Sequence, residues 1–282
     1  MRNEALAWTV PVMRAGYAGR GLTYLVIAGF SLWAIYRGGQ AKGPSSALAD
    51  LETTAGGGVV LALIFLGLLA YAAWRVIAAG LDLDAHGSET KGILARAAMV
   101  ITGLIHLSLG IAALTLLVSS GGSEGESRLR EWVGMVMGWP GGRWLVGLGG
   151  IAIIAAGVKY VAEGWTASFE RYLAASDFTS RWRTALRVGV AAHGIAIAVI
   201  GFLFLTAAWQ SDPSEAGGLA GAFDWLAGKP YGRALVVALC LGLLGFSLFC
   251  FVNARWRIVP RVAGDKTETL ARAARRMAAG VL

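Results

Sequence analysis

Inside an apolar setting, the residues of this chain able to carry chemistry are two histidines, an arginine, a threonine and a tyrosine. Arg20, Thr102 and His193 each follow an arginine by six residues (Arg14, Arg96 and Arg187), and Tyr24, His106 and Ile197 come one helical turn later. Imidazole is a common metal and haem ligand and a proton carrier. At a rise of 1.5 Å per residue, however, His193 and His106 stand about 6 Å apart in height when their segments are level. No other Cys, His or carboxylate falls in register with them. No catalytic residue, metal site or cofactor is therefore expected. What remains is a lining: around an axis, Arg20, Tyr24, Thr102, His106 and His193, with Arg14, Arg96 and Arg187 outside them, would border an electropositive vestibule that favours anions. The plainer reading, which we prefer, lets the arginines snorkel to anionic headgroups while Thr102 and His193 satisfy bonds between helices.

Other candidates are weaker. Asp82-Leu-Asp84-Ala-His86 has the residue types of a divalent-metal site, but it occurs once and reads as a polar loop. Cys240 and Cys250 are ten residues apart in one apolar run, about 15 Å along a helix, beyond the roughly 7 Å Cα limit of a disulfide, and read as small hydrophobes. Enzyme signatures are missing: no Gly-rich phosphate loop, zinc-protease helix or nucleophile elbow occurs. A non-enzymatic structural or accessory role is the expectation, with a channel or transporter for a small anionic or neutral solute as the alternative.

The elements that must position these residues follow from composition. Of 282 residues, 56% are apolar and 15% charged, with a mean hydropathy of +0.62. An average soluble chain is about 25% charged, so most of this one belongs in a bilayer. The net charge of +8 does not indicate nucleic acid, because the basic residues are strung between apolar runs. A hydrocarbon core of about 30 Å needs about 20 apolar residues. Six stretches qualify: 21–36, 56–74, 97–123, 144–162, 188–211 and 234–254. All six should be helices, since none alternates as a barrel strand does. The fold class is all-α, a polytopic membrane protein. Lys and Arg split 18 to seven between the two sides, the richer side holding both ends, so both termini should face the cytoplasm.

The six spans form three parallel two-helix repeats, at about 14–80, 96–165 and 187–257, followed by a basic cytoplasmic tail, 258–282. Odd spans open with Arg14, Arg96 or Arg187, then Gly21, Gly103 or Gly194 seven residues on, then Ala28, Gly110 or Gly201 seven later. A step of seven keeps each set on one helix face. Pro140-Gly-Gly-Arg143 and Pro230-Tyr-Gly-Arg233 open two even spans, where the first copy has only Gly56-Gly57-Gly58. Gly147, Gly150, Gly157, Gly242 and Gly245 suit close packing. Whether the hairpins form a ring or a row is left open by the sequence.

Residues 46–51, 131–139 and 222–228 read as amphipathic segments outside the spans, with Trp132, Trp139 and Trp225 as interfacial anchors. From Thr267 the tail reads as a helix setting Arg272, Arg275 and Arg276 against Leu270, Ala274 and Met277, suited to anionic lipid or a soluble partner. Expected partners are therefore the bilayer, anionic headgroups on the cytoplasmic side, and a second copy or another membrane protein, but no nucleic acid.

The three Arg-Ala-Gly-like openings and the Pro-x-Gly-Arg entries resemble the bacterial membrane proteins of domain of unknown function family 1206. The resemblance covers about residues 14–257. It implies a six-helix protein of the bacterial cytoplasmic membrane and supplies no activity, substrate or catalytic residue.

The charge count generates one test: protease added to one face of sealed vesicles should remove both ends of the chain or neither, and cleavage of one alone would mean an odd number of crossings.

Overall fold

The computed structural model describes residues 4–118, 125–263 and 268–278, and among these the regular elements are helical, apart from two isolated bridges. Six long helices are apolar enough to cross a membrane: α1 (Thr9–Tyr36), α3 (Gly57–Gly80), α4 (Thr90–Val118), α6 (Gly142–Thr166), α8 (Arg183–Gln210) and α10 (Gly232–Trp256). Between or after them lie α2 (Pro44–Glu52), α5 (Gly125–Met137), α7 (Asp177–Arg181), α9 (Leu219–Ala227) and α11 (Leu270–Ala278). Each long helix outlasts the charge-free stretch that announced it, because a helix continues through the headgroup region where charge is tolerated; Ser123, the expected end of the third span, lies outside the described residues.

The long helices are arranged as an open ring. α1 packs on α3, α3 on α4, α6 on α8, α8 on α10, and α10 returns to α1; α4 and α6, the two halves of the second repeat, are not closely packed. The most extensive seams, α6 with α8, α3 with α4 and α10 with α1, join each odd-numbered span to the even-numbered span before it, the sixth closing on the first, and small residues line them. A Cβ at Gly157 of α6 would lie 2.6 Å from the Ala198 backbone nitrogen, and one at Gly194 of α8 would lie 2.6 Å from the Gly157 carbonyl oxygen. Gly103 and Gly110 play the same part against Ala72 and Leu68. With lipid supplying little hydrophobic drive between helices, this backbone proximity holds them together.

The repeat arginines stand at the end of the ring that carries the termini, here the proximal end. Arg96 donates through Nε to Ala79 O (2.5 Å) and through Nη2 to Gly80 O (3.2 Å). Arg187 donates to Gly164 O (3.1 Å) and to Trp165 O. Two of the three thus satisfy the last carbonyls of the preceding even helix, where cations also complement the helix dipole. Arg14 is exposed. At the other, distal end Arg233 does the same service for α1, donating to Ile35 O (2.8 Å).

The distal segments expected to be amphipathic are α2, α5 and α9, each offset from its expected bounds and each joined to the next span by one kind of turn. Gly56, Gly141 and Tyr231 sit at φ of 80°, 75° and 60°, and the glycine after each lies so close to a preceding carbonyl that a Cβ would stand 1.7–2.1 Å from Leu51 O, Val136 O or Ala227 O. The first repeat therefore makes the turn without the proline. The three short helices converge by their N-termini. Gly43 lies against Ala220, Gly125 against Ser45, and the Gly218 N–H donates to Glu126 Oε2 (3.1 Å). Beneath them Ile27, Leu48, Leu61, Ile64, Phe223 and Leu243 belong to one apolar cluster that fills the distal half of the ring.

Proximally, the tail folds back onto the helical body. Leu270 is fully buried with Phe169 and Leu173, its N–H donates to Leu173 O (2.8 Å), and Ala175 N donates to Glu268 O (3.1 Å). The expected start of this helix at Thr267 and the side chain of Met277 lie outside the described residues.

The gap in the ring has a local cause. In α1 and α8 a glycine two residues past the repeat arginine receives an even helix: a Cβ at Gly16 would lie 2.6 Å from Tyr71 Cα, and one at Gly189 would lie 2.4 Å from Phe246 N. The second copy has Ala98 on the odd helix. Counting eight residues back from the carbonyls held by Arg96 and Arg187 places Ala156 of α6 where α3 has Tyr71. With neither socket nor ring, this seam stays apart.

Replacing Gly157 by Leu should therefore separate α6 from α8 and cost at least the 1–3 kcal/mol typical of overpacking, read as a lower Tm in detergent. Gly149→Ala, on the same helix with nothing within 4 Å of a new Cβ, should leave Tm unchanged or raise it slightly.

Candidate functional site

Proximal to the apolar plug, the ring encloses a layer to which every long helix contributes. Arg20 of α1 is its centre and is 3% exposed. Its Nη1 donates to the Tyr71 hydroxyl of α3 (3.0 Å) and its Nη2 to His193 Nε2 of α8 (3.2 Å). A guanidinium only donates, so Nε2 is the acceptor and the imidazole hydrogen sits on Nδ1. Three rings surround the cation: Phe246 of α10 at 4.9 Å from Cζ to centroid, Tyr71 at 5.1 Å and Tyr24 at 5.7 Å. His193 stacks on Phe246 at 3.8 Å and meets Tyr24 and Tyr160 of α6 edge-on, both at 5.2 Å. His106 of α4 joins through Tyr71, ring to ring at 4.9 Å, while its Nδ1 donates to Thr102 O (2.8 Å).

The histidines do approach one cluster, but they meet an arginine and rings rather than each other. Thr102 stays apart, its hydroxyl donating to Ala98 O of its own helix (2.7 Å). Four participants were missed by sequence reasoning: Tyr71, Arg75, Tyr160 and Phe246. A signal existed, because Leu66-Gly-Leu-Leu-Ala-Tyr71 and Leu241-Gly-Leu-Leu-Gly-Phe246 repeat one another on even helices.

Arg75, one turn from Tyr71, lies with its Cζ 5.8 Å from the same ring. It reaches the electrostatic neighbourhood of Tyr17, Tyr160 and Arg20. Neither arginine takes part in an ion pair among the described residues, and the Nε of each is buried without a partner. An arginine at the centre of a membrane helix costs about 2.5–3.5 kcal/mol on insertion, whereas a desolvated cation–π contact returns about 2 kcal/mol. The rings thus roughly offset the cost of Arg20. They leave a layer rich in donors and poor in acceptors.

The Asp82–His86 loop is a clasp. Asp84 receives Arg257 Nη2 on both carboxylate oxygens at 3.0 Å. Asp82 accepts from His86 N (2.7 Å), Gly87 N (3.0 Å) and Arg261 Nη2 (2.9 Å). Both carboxylates are thus engaged by arginines of the segment after α10, and no group of three or more potential metal ligands occurs among the described residues. Burial pushes the Asp82 carboxyl up, but the Gly87 and His86 N–H groups and Arg261 outweigh it and hold it below the usual carboxylate range.

Comparison with known proteins adds a family and a relative. Residues 15–82, 97–167 and 188–257 each match the family described as Domain of Unknown Function (DUF1206). A Bacillus subtilis (strain 168) protein named Uncharacterized protein YxxB is 26% identical over 257 residues, covering 90% of this chain and 93% of that protein. No solved structure matches.

The clasp generates a pH test. A carboxyl depressed by folding stabilises the fold fully above its unfolded value near 4, and that contribution is lost as pH falls through the folded value. Asp82→Asn, which keeps a residue tolerant of the left-handed backbone at φ 49°, should cost about 1 kcal/mol at neutral pH, the half-exposed Arg261 being screened. Tm measured against pH should show wild type and variant converging below about pH 4.

Proposed function

The chain belongs to the DUF1206 family, and from that premise we propose that it is a multi-pass protein of the bacterial cytoplasmic membrane, with both termini cytoplasmic, acting without covalent chemistry as a structural or accessory module of an assembly. The observation that carries this reading is the filled axis. Where a conduit would run, Arg20, His193 and Phe246 are in contact, and Ile27, Leu61, Ile64, Phe223 and Leu243 close the distal half beneath three converging helices. Such packing suits a rigid body more than a passage. Wide apolar faces on α4 and α6, exposed at Ile101, Ile105, Ile151 and Val158, give a partner or a second copy room to pack. Arg272 and Arg275 of the docked α11 are exposed, which suits contact with anionic headgroups.

A second reading, a conduit for a small anionic solute, draws on the two arginines without anionic partners. The readings diverge in vesicles. With Cys240 and Cys250 changed to Ala and a cysteine placed at Ile27, a membrane-impermeant thiol reagent should leave the protein unmodified from either side, and reconstituted vesicles should take up labelled chloride or phosphate no faster than protein-free ones. Labelling at position 27 together with saturable uptake would replace the structural reading by the conduit.

A further inference from the structure

We propose that the gap between α4 and α6 admits the headgroup of an anionic phospholipid and that Arg75 and Arg20 hold its phosphate. The inference goes beyond the structural role above and does not depend on it.

Charge comes first. Arg75 makes no hydrogen bond to a protein acceptor among the described residues, and its buried Nε is unpartnered, as is that of Arg20. Both guanidiniums lie near one tyrosine ring, at 5.1 and 5.8 Å from its centroid, and neither cation meets a carboxylate among the described residues. A phosphate supplies what is missing, because its oxygens match the planar fork of a guanidinium. The Tyr71 hydroxyl stands within the same group, hydrogen-bonded to Arg20.

Access comes second. From the proximal side Met13, Trp74, Leu83, Val259 and Val262 belong to one buried cluster, and from the distal side the apolar plug intervenes. The side of the ring between α4 and α6 is where the long helices are not closely packed. It faces hydrocarbon, so a ligand arriving there is itself a lipid. Arg75 lies five residues inside the end of α3 at Gly80, about 8 Å by helical rise, a depth at which a phosphate can turn inward while its acyl chains stay outside. Ile101 and Ile105, three and seven residues past Ala98 on the same face of α4, are exposed for those chains.

Native mass spectrometry of the full chain in mild detergent tests the proposal, using phosphatidylglycerol and phosphatidylcholine with the same acyl chains. Wild type should retain one phosphatidylglycerol, Arg75→Gln should bind it at least tenfold more weakly, and phosphatidylcholine should not be retained. Ala156→Phe, which fills the gap and leaves both arginines in the chain, should also lose the lipid; it carries the test if Arg75→Gln fails to fold, as judged by Tm. Equal retention by wild type and both variants, or equal retention of the two lipids, would overturn the site. Inorganic phosphate raising the Tm of wild type but not of Arg75→Gln, with no competition from phosphatidylglycerol, would overturn the lipid as its occupant.

Discussion

The approach of helix backbones across glycine is the interaction on which this architecture rests. In water an apolar face suffices to bring helices together; in lipid that drive is nearly absent, and van der Waals contact must replace it. The seven-residue spacing of Gly194 and Gly201 against Gly157 and Gly150 brings main chain to main chain over about two turns. Once the axes are that close, Arg96 and Arg187 reach the open carbonyls of the neighbouring helix. The arginine-first, small-residue-next order of the odd helices is thus one device: the small residues bring the helices together, and the arginine closes the end.

Triplication gives the ring its order, and departures from triplication give it a centre and a side. A strictly threefold protein would place one residue type at each equivalent position. Here Arg20, Thr102 and His193 occupy one level, so only one helix brings a charge to the middle, another brings its acceptor, and the third turns its hydroxyl to its own backbone. On the even helices Tyr71 and Phe246 are large where Ala156 is small. The same substitution that removes a ring from the layer removes the wedge from the α4–α6 seam.

Much of this was legible from residue types. Six helices, their triplication and the stripes that pack them follow from hydropathy and from steps of seven. Arg20, Tyr24, Thr102, His106 and His193 were readable as one group from their register past the repeat arginines, and of these Thr102 keeps to its own helix. Other features were not legible, for definite reasons. Arg75 sits at the edge of an apolar run, where an arginine looks like a boundary, and only helix rotation shows that it turns inward. The pairing of Asp82 and Asp84 with Arg261 and Arg257 spans more than 170 residues, and no local pattern encodes it. The tail reads as a basic surface helix because Leu270 gives no hint that its socket is formed by Phe169 and Leu173. The ring and the row differ by the contact of α1 with α10, the first span with the last.

That closing contact has a temporal side. A chain inserted from its N-terminus delivers Arg20 to the bilayer when only Tyr24 among its eventual neighbours is present, and His193 and Phe246 follow more than 170 residues later. Until Tyr71 arrives with α3 the nascent protein holds a bare cation in oil, and until α8 and α10 follow it holds one only partly surrounded, so whatever shelters it then, be it the insertion machinery, a defect of water or the first lipid to arrive, is fully displaced only when the last helix swings home.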